Sequence, residues 1–123
     1  MLVVGGGPAG STAAAMLARK GLRVTLVEKG RHPRFHIGES LLPMNMPIFQ
    51  RLGVFDEVVA LGRRKLGADF PAANDVGYHV FHFARTLKPG TGYAVQIRRE
   101  DLDQLLFNHA AACGAQTHQD TEV

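Results

Sequence analysis

A chain of 123 residues with 46% hydrophobic and 20% charged residues can bury one modest core and is not a disordered polymer. Its net charge of +3 is too mild to require nucleic acid, and the aromatic interleaving of an RNA-binding sheet is missing, so no nucleic-acid partner is expected. The single cysteine, Cys113, has no internal disulfide partner, no Cys/His spacing suits zinc, and Ala13 to Ala18 is too short to span a bilayer, which together predict a cytoplasmic protein without a membrane span.

Leu2-Val3-Val4 reads as a short apolar strand that runs into Gly5-Gly6-Gly7-Pro8-Ala9-Gly10-Ser11, a G-x-G-x-x-G turn. Gly5 suits a sharp turn off the strand, Gly7 a close approach of backbone to a pyrophosphate, and Gly10 the packing of the next helix on the sheet. That helix is predicted from Pro8 or Ala9 to Lys20, with Gly21 as a left-handed cap. The unpaired N–H groups of its first turn would hold phosphates, which makes Gly5, Gly7, Pro8, Ala9, Gly10 and Ser11 candidate cofactor residues. Arg23 to Glu28 reads as a buried parallel strand, and Glu28 stands 18 residues after Gly10, near the offset of a carboxylate that takes ribose hydroxyls. Its charge argues against a 2′-phosphate, and a solvated strand-end carboxylate is the alternative for it. A lone glycine motif is weak; strand, helix, second strand and terminal acid in this order point to a dinucleotide site.

Gly30 to Ser40 is a long loop broken by Pro33 and glycines, where an ordinary NAD-binding half would continue into another crossover helix, and such a loop can cover a cofactor. Leu41 to Leu52 is predicted helical despite Pro43 and Pro47, with Gly53 ending it, and Asp56 to Leu61 forms another helical turn. Lys65 to Phe70, Tyr78 to Phe83 and Tyr93 to Arg98 read as strands, with a turn at Pro89-Gly90, so residues from about 64 to 98 form a β insertion. From Asp101 to Cys113 the residues Leu102, Leu105, Leu106, Ala110 and Cys113 share one helical face, acids crowd the N-terminus and Gly114 caps the end. Ala115 to His118 is then the third parallel strand, and Thr121 to Val123 starts another segment. The histidines are scattered, and His79 and His82 face opposite sides of one strand, so no metal site is expected; His32 and His36 stand in the loop that can cover a cofactor.

With Gly5 to Ser11, Glu28, Arg34 to Pro43 and Arg99 to Leu106 in view, the chain resembles the FAD-dependent monooxygenase and flavin-dependent halogenase superfamily, with its hydroxybenzoate hydroxylase-like fold, over essentially its whole length. Arg34-Phe35-His36-Ile37-Gly38-Glu39-Ser40-Leu41-Leu42-Pro43 is especially similar to the halogenases, which carry a Gly-Glu-Ser/Ala segment over the flavin. The resemblance implies an α/β, Rossmann-like FAD/NAD(P)-binding domain with an inserted antiparallel β region, incomplete at the C-terminus, of which residues 1–123 are the N-terminal part. It implies that Glu28, with Lys29 beside it, binds the adenosine ribose, that Arg34 lies along the cofactor and that Ser40 belongs to the covering segment. Arg99 opens an Arg-x-x-Phe-Asp-x-Leu-Leu pattern, here with Leu102 in place of Phe, whose arginine contacts the flavin. As a mere surface cation it would be poorly placed at a helix N-terminus without an anion nearby.

Lys65-Leu66-Gly67-Ala68-Asp69-Phe70 looks like the Lys-x-Gly-Ala-x-Phe stretch of the halogenases, where the lysine captures hypohalous acid and directs it to the substrate. No Trp follows Phe70, and on its residues alone Lys65 is equally a solvated surface lysine or a catalytic one. The implied protein is an FAD-dependent oxidoreductase that halogenates or hydroxylates a small-molecule or carrier-bound organic substrate with O₂, with halide and a separate flavin reductase as further partners. A reductase of the geranylgeranyl-reductase type and a non-catalytic dinucleotide-binding fragment are the alternatives. Because the second FAD motif of the superfamily, a Gly-Asp pair, has no counterpart after residue 40, the chain is expected to be a fragment that is inactive alone.

Overall fold

A computed structural model describes residues 1–73, 77–85 and 90–123, and the chain divides into two units, one of Met1–Gly38 with Arg98–Val123 and one of Glu39–Ile97. In chain order the elements are β1 (Leu2–Val4), α1 (Pro8–Ala18), β2 (Thr25–Val27), α2 (Met46–Leu52), α3 (Phe55–Leu61), β3 (Arg63–Lys65), β4 (Gly67–Pro71), β5 (Tyr78–His82), β6 (Ala94–Gln96), α4 (Arg99–Ala112) and β7 (Gln116–His118). Short 3₁₀ turns stand at Pro43–Asn45 and Phe83–Arg85.

The first unit is a parallel sheet in the order β1-β2-β7, with Val3 opposite Leu26 and Leu26 opposite Thr117. β2 is central, and the β-branched and leucine side chains Val24, Leu26 and Val27 are buried there. Both crossovers move the same way along the sheet, so the right-handed rule puts α1 and α4 on one face, where they pack against each other. The contact is small against large: Ala14 and Ala15 of α1 are buried, as are Leu102, Leu106 and Ala110 of α4. Each of those leucines contributes about 1.5–3 kcal/mol by leaving water. α1 stops at Ala18, two residues short of the predicted end, because Gly21 at φ +80° turns the chain back and lets the Gly21 and Leu22 N–H groups cap the carbonyls of Ala18 and Leu17.

The second unit begins at Glu39, ahead of the predicted β insertion. The helix expected over Leu41 to Leu52 forms only from Met46, behind the 3₁₀ turn at Pro43. Pro43 holds Leu42 extended at φ −111°, ψ 156°, and the segment before it is drawn into a ladder with β6: Ile97 N–H donates to Glu39 O at 3.0 Å, Leu41 N–H to Val95 O at 3.1 Å, and Ser40 bridges Gln96. The predicted strand Lys65 to Phe70 is broken at Leu66, since β3 pairs antiparallel with β6 whereas β4 pairs antiparallel with β5. Gly67 starts the second ribbon, where a Cβ would lie 2.5 Å from Phe81 O. Tyr78 to Phe83 ends at His82, because Phe83 turns inward, donates its N–H to Leu66 O and is buried. Of the strand expected over Tyr93 to Arg98, Ala94–Gln96 forms; Thr121 to Val123 is not a strand. The turn expected at Pro89-Gly90 lies outside the described residues. Met46, Phe49, Leu52, Val54, Val58, Val95 and Ile97 supply this unit's core.

Candidate functional site

The glycine turn separates into residues that shape it and one that leaves it open. Gly5 sits at φ +98°, which only glycine adopts without strain, and its N–H donates to Val27 O at 2.8 Å, tying the turn to the end of β2. A Cβ on Gly10 would stand 1.9 Å from Gly5 O, so the start of α1 lies directly on the turn. A Cβ on Gly6 would stand 2.8 Å from Phe107 and 2.9 Å from the Glu28 Cβ, a requirement the glycine pattern left unassigned although the run of three consecutive glycines was its only signal. Gly7 differs: a Cβ there meets nothing within 4 Å. Ser11 is fully buried with its hydroxyl donating to Gly6 O at 2.9 Å, so it braces the turn from behind.

α1 begins with Gly7 at its N-cap and Pro8 in its first turn, with no side-chain cap and no acidic residue there. Its first N–H groups are thereby left to an incoming anion, and the macrodipole favours one. The open side of this turn faces a concavity of about 550 Å³ walled by Gly5, Gly7, Pro8, Ala9, Gly10, Glu28, Lys29 and Arg34, and by Thr121, Glu122 and Val123 of the tail after β7. The tail is held there by Thr121 N–H donating to Glu28 O at 3.0 Å. No local pattern in Thr121 to Val123 announces this placement.

Glu28 ends β2 with 3% of its surface exposed. Its Oε2 accepts the Gly6 N–H at 2.7 Å, and its Oε1 accepts the Gly30 N–H at 2.9 Å and pairs with Arg34 Nη2 at 3.3 Å. Burial pushes its pKa up, but the two backbone N–H groups and the guanidinium outweigh that, and the net shift is downward from the ordinary 4.5. A lowered folded-state pKa stabilises the fold fully above the unfolded value and is lost as pH falls through the folded one, so the window lies below about pH 4.5. Glu28→Gln is therefore expected to flatten the acid limb of a Tm-against-pH profile recorded on apo-protein; an unchanged limb would show that Glu28 contributes nothing to it.

The arrangement fits an adenosine diphosphate. An uncapped helix N-terminus faces the open Cβ direction of Gly7, cations Lys29 and Arg34 line the wall, and Arg34 Nε has no hydrogen-bond partner among the described residues. Glu28 Oε2 keeps a lone pair for a sugar hydroxyl beyond the Gly6 N–H that it accepts, while Oε1 is taken up by the Gly30 N–H and Arg34. All 123 residues match the FAD binding domain family. The chain belongs to that family.

Among characterised relatives, this FAD-binding domain is 42% identical over 125 residues to the flavin-dependent halogenase rdc2 of Metacordyceps chlamydosporia, spanning all of this chain and 22% of the relative. It is 40% identical over 124 residues to a tryptophan 2-halogenase of Chondromyces crocatus, again over all of this chain and 23% of the relative. Among solved structures, it superposes on the flavin-dependent halogenase CmlS with a TM-score of 0.90 at 38% identity, covering 99% of this chain and 22% of that one. The myxobacterial chondrochloren halogenase CndH gives 0.88 at 36%, covering 97% of this chain and 28% of that one. The domain thus spans less than a third of each of these proteins.

Arg99 of the domain does not line the concavity. Its Nε and Nη2 grip the two carboxylate oxygens of Asp103 at 2.9 and 3.1 Å, one helical turn on, and its Nη1 donates to Ile37 O at 3.1 Å. The anion that its position demanded is thus supplied by α4 itself, and the third donor ties down the loop before Gly38. His32 in that loop is buried with its ring 5.0 Å from Phe107, and His36 is exposed.

Ser40 and Lys65 belong to the second unit and are brought together there. Lys65 is half-buried, donates from Nζ to Ser40 Oγ and lies 5.4 Å from the centre of the Phe83 ring, so it is not a freely solvated lysine. Both line a second concavity, of about 540 Å³, with Leu42, Gly67, Ala68, Asp69 and Phe70. Among the described residues no cluster of His, Cys, Asp and Glu could hold a metal, and no helix is long and apolar enough to cross a membrane.

Proposed function

We propose that the protein carrying this chain is a flavin-dependent halogenase acting on an electron-rich organic substrate, small or carrier-bound, with O₂ and halide. The observation that carries this reading is the half-buried Lys65 ammonium, held between a hydroxyl and an aromatic ring on the wall of a concavity. The 40–42% identity to halogenases from two sources supports it. Residues 1–123 then form part of one FAD-binding domain, and the β region within residues 64–98 serves the substrate.

In this reading FAD is held by Gly5, Gly7, Pro8, Ala9 and Gly10 at its diphosphate and by Glu28 at its adenosine ribose, with Lys29 and Arg34 balancing the phosphate charge. Ser11 and Arg99 hold the turn and the covering loop in place. When bound and reduced, FAD supplies the electrons that let O₂ oxidise halide. Per turnover, one reduced flavin, one O₂, one halide and one proton convert a substrate C–H to C–halogen, with oxidised flavin and two waters as the other products. Lys65 would hold the electrophilic halogen through its ammonium protons and direct it to the substrate. A separate flavin reductase supplies the reduced cofactor, and the cytoplasm, which keeps the free Cys113 thiol reduced, is the compartment assigned.

The test is turnover with reduced FAD, O₂ and chloride or bromide, read by mass spectrometry of an aromatic substrate panel. Lys65→Met is expected to lower halogenated product on the order of 10²-fold while the protein still binds FAD. Undiminished halogenation by that variant, or reducing equivalents consumed without halide incorporation by the wild type, would remove the reading; the second result would favour a reductase.

A further inference from the structure

Lys65 and Ser40 are 25 residues apart and meet because both hang from one strand. β6 has β3 on one edge and the segment 39–41 on the other: Lys65 lies opposite Ala94, and Ser40 opposite Gln96. Directly opposed residues of an antiparallel pair share a face, and Ala94 and Gln96, two apart, share one as well. Lys65, Ala94, Gln96 and Ser40 therefore all project from the same side of this ladder. Opposite the lysine, β6 presents only the methyl group of the buried Ala94 on this face.

We infer that Ser40 is the positioning residue for Lys65, its hydroxyl accepting one ammonium proton so that the remaining N–H groups are presented to the concavity that both residues line. This rests on the halogenase reading above and gives Ser40 a task other than the cofactor contact expected from its place in the Gly-Glu-Ser segment. The chain positions both ends of the contact. Ser40 is fixed through its backbone by the flanking bonds of Glu39 and Leu41 to β6, and Lys65 by its pairing in β3 and by the Phe83 ring beneath the ammonium. A lysine carries large rotamer entropy, and a fixed acceptor at its tip selects one of its many arrangements. The hydroxyl remains a donor as well, free to pass a hydrogen bond to a bound anion.

The experiment compares wild type, Ser40→Ala and Ser40→Thr in the complete protein by three readouts. FAD affinity is expected to be the same in all three. Halogenated product per flavin oxidised is expected to fall roughly 10-fold or more in Ser40→Ala, the size of effect that loss of orientation produces, and to return in Ser40→Thr, which keeps the hydroxyl. Competitive acetylation with acetic anhydride, read by peptide mass spectrometry with exposed Lys20 as internal reference, is expected to label Lys65 several-fold faster in Ser40→Ala. An amine released from Ser40 and Phe83 is more accessible than one held between them, and this readout needs neither flavin nor turnover. Ser40→Ala protein with weaker FAD affinity and unchanged product per flavin would make Ser40 a cofactor ligand and overturn the inference. Unchanged labelling and coupling in a Ser40→Ala protein that halogenates overturn the pairing alone, whereas a wild type that incorporates no halide overturns the proposed function together with it.

Discussion

Gly7→Val is expected to weaken FAD binding by about 100-fold or more at a cost of only about 1 kcal/mol to the apo-protein, where valine is the poorer N-cap, and Gly10→Ala is expected to do the reverse, costing about 3 kcal/mol of stability before any ligand is added. The contrast follows from where each new Cβ goes. Gly7 has φ −73° and ψ −175°, which valine adopts without strain, and nothing of the protein lies within 4 Å of its Cβ direction. The added side chain instead fills the space between the helix N-terminus and the concavity, where the diphosphate must approach the backbone. A methyl on Gly10 meets the Gly5 carbonyl oxygen at 1.9 Å, so the start of α1 has to shift off the turn and its packing on α4 is strained with it. Calorimetry of FAD binding and thermal melting of apo-protein separate the two effects. A Gly7→Val protein that binds FAD with wild-type affinity would show that the turn does not hold the diphosphate.

Arg99→Ala is expected to cost about 3–5 kcal/mol of stability, because it leaves the Asp103 carboxylate, 0% exposed, without the guanidinium that grips it. Asp103→Ala costs less, since Arg99 retains 16% exposure and can turn its guanidinium toward water. Replacing both by leucine is expected to recover much of the loss, as apolar pairs commonly substitute for buried ion pairs. Arg99→Ala also frees Ile37 O and so loosens the loop that runs from Gly30 to Gly38, which weakens FAD binding as a secondary effect. Chemical denaturation of the single and double variants measures the coupling directly. Stability unchanged in Arg99→Ala, with FAD affinity lost, would make Arg99 a direct cofactor contact instead of a clasp.

The β1-α1-β2 unit and its helix α4 were legible in the residues because their signals are local. Apolar runs of strand length, glycines at the turn and after each helix, and a 3.6-residue period from Leu102 to Ala110 each act within a few residues, and the structure places α1, α4 and the three parallel strands close to where those signals put them. The same holds for the glycines of the turn and for Glu28 at the strand end, whose spacing reflects a geometry that one βαβ unit already contains. Pro43 and Pro47 are each acceptable near a helix start or a kink, and the helix shorter than its pattern reflects a force from elsewhere: β6, more than fifty residues on, draws residues 39–41 into a ladder and holds them extended.

Local chemistry was enough to point to a dinucleotide turn, to the acid at the end of the second strand and to the parallel core behind them. Only the folded chain decided that Gly6 must be glycine for Phe107, that Arg99 is answered by Asp103 and Ile37, that the strand at Lys65 breaks at Leu66, and that Ser40 meets Lys65. The division has one physical cause. Backbone propensity and capping are settled among neighbours in sequence, whereas the partner of a side chain is settled by which strands pair and in what register, and a register is a property of residues far apart in the chain.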